Sequence, residues 1–202
     1  MMPSDYRVPS APLETEYEVK KSRFITWLNP VENREQAMAC LTTAKQRFPD
    51  ARHHCWAYMI GNPGSPSLVA MSDDGEPSGT AGKPILNVLQ HKNVGDIMLI
   101  VVRYFGGIKL GAGGLVRAYS SAAQKAMDTV VCKAKIFLTE VELQGNFALE
   151  QSIRHWLSER EGEIVSVDYA EQVNIRVTLR EGDIATLQSM MDALGGSLRR
   201  LE

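Results

Sequence analysis

Two glycine-rich segments hold most of the side chains in this chain that could do chemistry. The first, DDGEPSGTAGKPILNVL, runs from Asp73 to Leu89; the second, RYFGGIKLGAGGLVRAY, runs from Arg103 to Tyr119. Between them lies one strongly apolar run, Ile97 to Val102. Glycine costs chain entropy, so clusters of it mark sharp turns or close backbone approach rather than core packing. Charged residues sit inside both segments: Asp73, Asp74, Glu76 and Lys83 in the first, Arg103, Lys109 and Arg117 in the second. Charged glycine-rich loops on either side of a rigid strand suit a binding surface.

Four kinds of chemistry can be weighed. The stretch GAGGLVRAY has the form of a helix N-terminus, whose free amides and dipole suit an anion. Neither phosphate-binding fingerprint is met: Pro84 stands where a P-loop needs its hydroxyl, and Gly111 and Gly113 are followed by Val116 where a dinucleotide motif needs its last glycine. No nucleotide cofactor is expected. Asp73, Asp74 and Glu76 are clustered oxygen ligands of a type that magnesium takes. They lack the fuller ligand ladder of a calcium loop, and no metal is expected. Ser78 and Thr80 lie between glycines, but no G-x-S-x-G elbow presents a nucleophile. Cations with an exposed aromatic suit single-stranded nucleic acid. His53, His54, Lys83, Arg103, Tyr104, Lys109 and Arg117 are therefore expected to converge where strand ends meet helix starts. Tyr104 is the expected exposed aromatic, with Phe105 packed under the loop. His53 and His54 are neighbours on a strand and point to opposite faces, so only one can serve a given site.

Composition narrows the classes. The hydrophobic fraction is 44%, the charged fraction 23% and the net charge -2, an ordinary globular profile without the bulk positive charge of a nucleic-acid coat. Cys40, Cys55 and Cys132 form no CxxC pair, which suits reduced thiols in a cytoplasmic protein. The N-terminal residues lack a signal-peptide core, and the apolar run IMLIVV is too short to span a bilayer.

The elements that must position these residues can be read in order. Met1 to Leu13 reads as a proline-rich mobile arm. Glu16 to Leu28 reads as strand, with a hairpin or bulge at Lys20–Ser22. A helix capped by Asn33 with Gln36 follows, up to Pro49. His53 to Ile60 and Ser67 to Ser72 read as strands, then a helix from near Gly79 to about Gln90 with Pro84 in its first turn. The run Ile97 to Val102 does not alternate, so both its faces should be covered. Leu115 to Val131 carries the strongest helical stripe. Beyond a boundary at Lys133–Lys135 the rhythm changes to strand, helix, two strands, helix, strand. That order is the ferredoxin-like βαββαβ arrangement. The helix near its end is assigned Asp183 as cap. The division expected is 1–134 and 135–202, an α+β chain of two domains.

The two glycine-rich segments, with ARHHCWAY upstream, resemble the signature segments of the IMPACT family over about the first two-thirds of the chain. The remainder resembles the small second domain of bacterial members. The resemblance implies a first domain with a βαβ-type fold like domains of ribosomal proteins and elongation factor G, and a second like the last domain of elongation factor G. Eukaryotic relatives act in translational control and bind a regulator of an amino-acid-starvation kinase through an added RWD domain. Nothing before Glu14 matches that domain, so the regulator-binding role is not carried over. The family supplies no catalytic residues to transfer; Asp73, Asp74, Glu76, Ser78 and Thr80 carry over only as a motif surface. The function expected is non-catalytic and translation-associated, with RNA or a ribosomal component as partner. The alternatives are a metal-assisted hydrolase using the acidic loop and a protein-interaction module.

Overall fold

The computed structural model describes residues 5–201. They divide into two compact units, residues 6–135 and residues 136–201 together with Asp5.

The first unit is built on a five-stranded antiparallel sheet. Its strands are β2 (Leu13–Val19), β3 (Ser22–Pro30), β4 (His53–Ile60), β5 (Leu68–Ser72) and β6 (Ile97–Tyr104), in spatial order β2-β3-β6-β4-β5. Strands β3 and β4 both run antiparallel to β6, so they are parallel to each other with β6 between them. Helix α1 (Arg34–Arg47) joins them, and α2 (Gly82–Lys92) joins β5 to β6 around β4 in the same way. The unit is thus two split βαβ crossovers. From Ile97 to Val102 every residue of β6 is buried, because helices cover both faces. Odd-numbered Leu99 and Val101 pack with α2 and α3 (Ala112–Thr129). Even-numbered Met98, Ile100 and Val102 pack towards α1.

Local signals explain most boundaries. Asn33 Oδ1 accepts from the Gln36 N–H at 2.9 Å, while Gln36 Oε1 accepts from the Glu32 N–H at 2.7 Å, a variant of the capping box whose return bond reaches one residue before the N-cap. Lys20 and Lys21 both have positive φ, 46° and 63°, as a tight hairpin turn matched to strand twist requires.

The arm expected over the first thirteen residues is not an arm where the structure describes it; Met1 to Ser4 lie outside the described residues. Strand β1 (Tyr6–Pro9) pairs antiparallel with β7 (Cys132–Lys135). Tyr6 donates its hydroxyl to Asp96 Oδ2 at 2.7 Å, and Lys135 Nζ lies 2.6 Å from the same oxygen. Leu13 is already in β2. Pro9 ends β1, and the partner segment is over a hundred residues away, so local sequence could not announce the pairing.

The second unit contains β8 (Leu138–Gly145), α4 (Leu149–Ser158), β9 (Glu163–Tyr169), β10 (Val173–Arg180), α5 (Ile184–Ala193) and β11 (Ser197–Arg200). Its antiparallel sheet has the order β11-β8-β10-β9, which is the ferredoxin-like arrangement. Val173, Ile175, Val177 and Leu179 are buried with α4 and α5 residues. Asp183 makes no side-chain cap; a 3-10 turn, Glu181–Asp183, leads into α5 instead. On the sheet Arg176 pairs with Glu140 and Arg199 with Glu142, so these cations are locally neutralised.

Candidate polyanion-binding cleft

Register brings the first group of site residues together. His53 of β4 and Phe24 of β3 both lie directly beside Arg103 of β6. Odd β4 and β6 positions face α2 and α3, so His53 and Arg103 share that face at one end of the sheet. The two glycine-rich segments close over it. They bound a cleft of about 780 Å³ lined by Asp50, Arg52 and His53 on one side, Glu76 and Pro77 on another, and Arg103 to Phe105 with Lys109 to Ala112 opposite. Such a volume suits a ligand of nucleotide size.

Glu76 and Arg103 form its floor. Arg103 Nη1 donates to Glu76 Oε1 at 2.7 Å, with side chains only 9% and 4% exposed. The Tyr119 hydroxyl donates to the same oxygen at 2.8 Å, and Cys55 Sγ lies 3.3 Å from the Tyr119 oxygen. Burial, then its Cys55 and Glu76 neighbours, push the Tyr119 phenol well up. Burial pushes the Cys55 thiol up to about 12, the Tyr119 hydrogen bond opposing and the carboxylates of Glu76, Asp74 and Asp73 adding. A thiol so placed stays protonated and is no nucleophile at neutral pH.

The three acidic residues of the first segment do not gather around a common point. Asp73 Oδ1 accepts from the N–H groups of Ala81 and Gly82, and Oδ2 accepts from Gly79. It caps α2, whose own N-cap residue, Ala81, has no side chain able to do so. Burial opposes ionisation of Asp73, but these three donors outweigh it and hold the carboxyl below its ordinary range. Asp74 Oδ2 accepts from the His54 N–H at 2.7 Å, and its Oδ1 faces Lys45 Nζ at 3.4 Å. Glu76 serves Arg103 and Tyr119. Thr80 is buried and donates to the Pro77 carbonyl at 2.6 Å, while Ser78 is exposed. Among the described residues no three His, Cys, Asp or Glu side chains are grouped to hold a metal. Asp73→Asn keeps one oxygen for two of the donors but turns an amide NH₂ towards the third. The expected loss is roughly 1–2 kcal/mol, read by thermal unfolding.

The expected basic group separates. His53, Arg103, Tyr104 and Lys109 line the cleft; His54, Lys83 and Arg117 do not. His54 is buried on the α1 face of the sheet, where burial lowers its pKa and Asp74 opposes. His53 Nδ1 lies 2.9 Å from the Asp74 carbonyl; a carbonyl only accepts, so Nδ1 carries the proton there. Arg117 is exposed, but its Nη1 comes within 3.7 Å of where a Cβ on Gly113 would stand. It therefore flanks the start of α3.

The aromatics exchange roles. Phe105 is 56% exposed, its ring 5.6 Å from the Arg103 guanidinium carbon. Tyr104 packs with the α1-side core. Position parity decides this: residue 104 still follows the even face of β6, whereas Phe105 lies beyond the strand end. Arg52 escapes sequence reasoning because it precedes the strand and belongs to no glycine-rich segment.

Glycine is required in the second segment for two reasons. A Cβ on Gly106 would stand 2.0 Å from the Lys21 backbone, where the β2–β3 hairpin crosses; the Gly106 N–H donates to Ser22 Oγ at 3.2 Å. Gly111, the N-cap of α3, has φ 72° and open space around its Cα.

Comparison with known proteins places these segments. Residues 20–127 match the Impact N-terminal domain model, and residues 143–196 match a domain of unknown function, DUF1949. The IMPACT family member YigZ of Escherichia coli (strain K12) is 41% identical over 96% of this chain and 96% of its own. The IMPACT family member YvyE of Bacillus subtilis (strain 168) is 33% identical over 90% of this chain and 82% of its own. A crystal structure described as that of a hypothetical protein aligns over 100% of this chain and 98% of its own, with TM-score 0.67 and 40% identity. The chain, with its cleft between two signature segments, belongs to the IMPACT family.

Proposed function

We propose that this is a non-catalytic, translation-associated protein of the cytoplasm that binds RNA, free or in the ribosome, through the cleft. The observation that carries the reading is the meeting of the two glycine-rich segments around Arg52, Arg103 and Lys109, beside the exposed Phe105 ring and the start of α3. These three cations face two carboxylates, Asp50 and Glu76, and Glu76 is already held by Arg103. Positive charge beside a π-face is what single-stranded RNA requires: phosphates take the cations and a base takes the ring. The three free cysteines, Cys40, Cys55 and Cys132, agree with a reducing compartment. No helix among the described residues is long and apolar enough to cross a membrane. The metal-hydrolase alternative is disfavoured because Asp73, Asp74 and Glu76 each serve separate partners.

Filter binding of a single-stranded RNA across a salt series tests the reading. Removing one phosphate-binding cation should flatten the log-log slope by about 0.7 unit, so Lys109→Ala and Arg52→Ala should each weaken binding and reduce the slope by that amount. RNA binding with the slope unchanged in both variants would move the interface elsewhere; no RNA binding at all would end the reading.

A further inference from the structure

We infer that the cleft seats a phosphate group against the N-terminus of α3, with the Arg103 guanidinium as the opposing arm. This names the group gripped in the RNA reading above and rests on that reading only for the identity of the ligand. Three observations lead to it.

The first is an unfilled helix start. α3 has 18 residues, no side chain caps it, and its first turn contains no acidic residue. The N–H groups of Ala112, Gly113 and Gly114 precede the first intrahelical bond, Leu115 N to Gly111 O, and so meet the positive end of the dipole. By contrast α1 is capped by Asn33 and α2 by Asp73. Gly111 and Ala112 line the cleft, and nothing stands within 4 Å of a Cβ placed on Gly111 or Gly107. A ligand can therefore approach the backbone itself.

The second is the state of Arg103. It lines the same cleft and is 8% exposed, and its Nε has no hydrogen-bond partner. Nη1 is engaged by Glu76. Nε is one of the two donors of the fork that grips an oxyanion with parallel bonds, and it is left without an acceptor. A buried donor without a partner is costly unless a ligand supplies one.

The third is the surround. Lys109 lines the cleft, Arg117 flanks Gly113, and the exposed Phe105 ring lies over Arg103. A phosphate between Arg103 and α3 would leave its nucleoside within reach of that ring. The class of ligand is a nucleotide of single-stranded RNA, held by phosphate and stacked by base.

The test is ¹⁵N NMR on the full chain, titrated with inorganic phosphate against chloride at matched ionic strength, then with a short oligouridylate. Saturable shifts of the Ala112, Gly113 and Gly114 amides and of Arg103 Nε–H are expected. Ala112→Asp puts a carboxylate in the first turn, which favours the helix, while filling the seat; it should weaken phosphate binding about tenfold or more without lowering the thermal midpoint. Absence of saturable shifts, or phosphate affinity undiminished in Ala112→Asp, overturns the seat. Oligouridylate binding that survives Ala112→Asp unchanged also overturns the seat and leaves the RNA reading standing. Phosphate shifts without oligouridylate binding support the seat and defeat the RNA reading.

Discussion

Glu76→Ala should lower the unfolding free energy by roughly 3–5 kcal/mol, because it leaves a buried guanidinium without its counter-ion. Arg103 is 8% exposed and its one ion pair is with Glu76. The fully buried Tyr119 hydroxyl would lose its acceptor in the same step. Urea denaturation monitored by tryptophan fluorescence reads the effect. Pairing the change with Arg103→Met removes the stranded charge, so the double variant should be more stable than Glu76→Ala alone. That recovery would separate the cost of an unpaired cation from the net worth of the pair. A loss near that of a surface pair, below about 1 kcal/mol, would show the floor of the cleft to be solvated and sink this account of it.

The second large effect lies on the other side of the unit, at Asp96. Its side chain is 5% exposed. Oδ1 accepts from the Gly61 N–H at 2.8 Å, while Oδ2 meets the Tyr6 hydroxyl and Lys135 Nζ. One carboxylate thus ties β1, β7 and two turns to the end of the main sheet. Asp96→Ala removes the shared acceptor of the Gly61 N–H, the Tyr6 hydroxyl and Lys135, which keeps Glu32 at 2.8 Å, and should destabilise by roughly 2–4 kcal/mol.

The same site contributes at both the acid and the alkaline end of pH stability. Burial opposes ionisation of Asp96, but Lys135, Gly61 and Tyr6 outweigh it and hold its pKa below the ordinary carboxylate range. The contribution is therefore complete above the unfolded-state value of about 3.9 and is lost as pH falls through the lower folded value. Tyr6 is pushed up to about 12, by burial first and then by Asp96. Its contribution is complete below the unfolded value near 10 and fades as pH rises towards 12. Asp96→Asn should flatten the acid limb of a stability–pH profile, and Tyr6→Phe the alkaline limb. An acid limb identical to the parent's would show that Asp96 is not held as described.

The features legible in the chain alone are those that short-range physics can encode. An unbroken apolar run placed β6, period-3.6 patterning placed α3, and the two periods together gave the βαββαβ rhythm of the second unit. Asn33 with Gln36 announced a helix start, and the glycine-rich segments marked where backbone must turn or approach. The remainder came from the folded arrangement, because burial, pairing and register join residues far apart in the chain. Folding took Tyr6–Pro9 from an expected arm into a strand. It gave Asp73 to the amides of α2 and Glu76 to Arg103, dispersing an acidic triplet that looks like a ligand set in one dimension. It put His54 behind the sheet, exposed Phe105 in place of Tyr104, and added Arg52 to the cleft. A side chain's charge is written in the sequence; whether that charge is free to meet a ligand depends on which distant group has already claimed it.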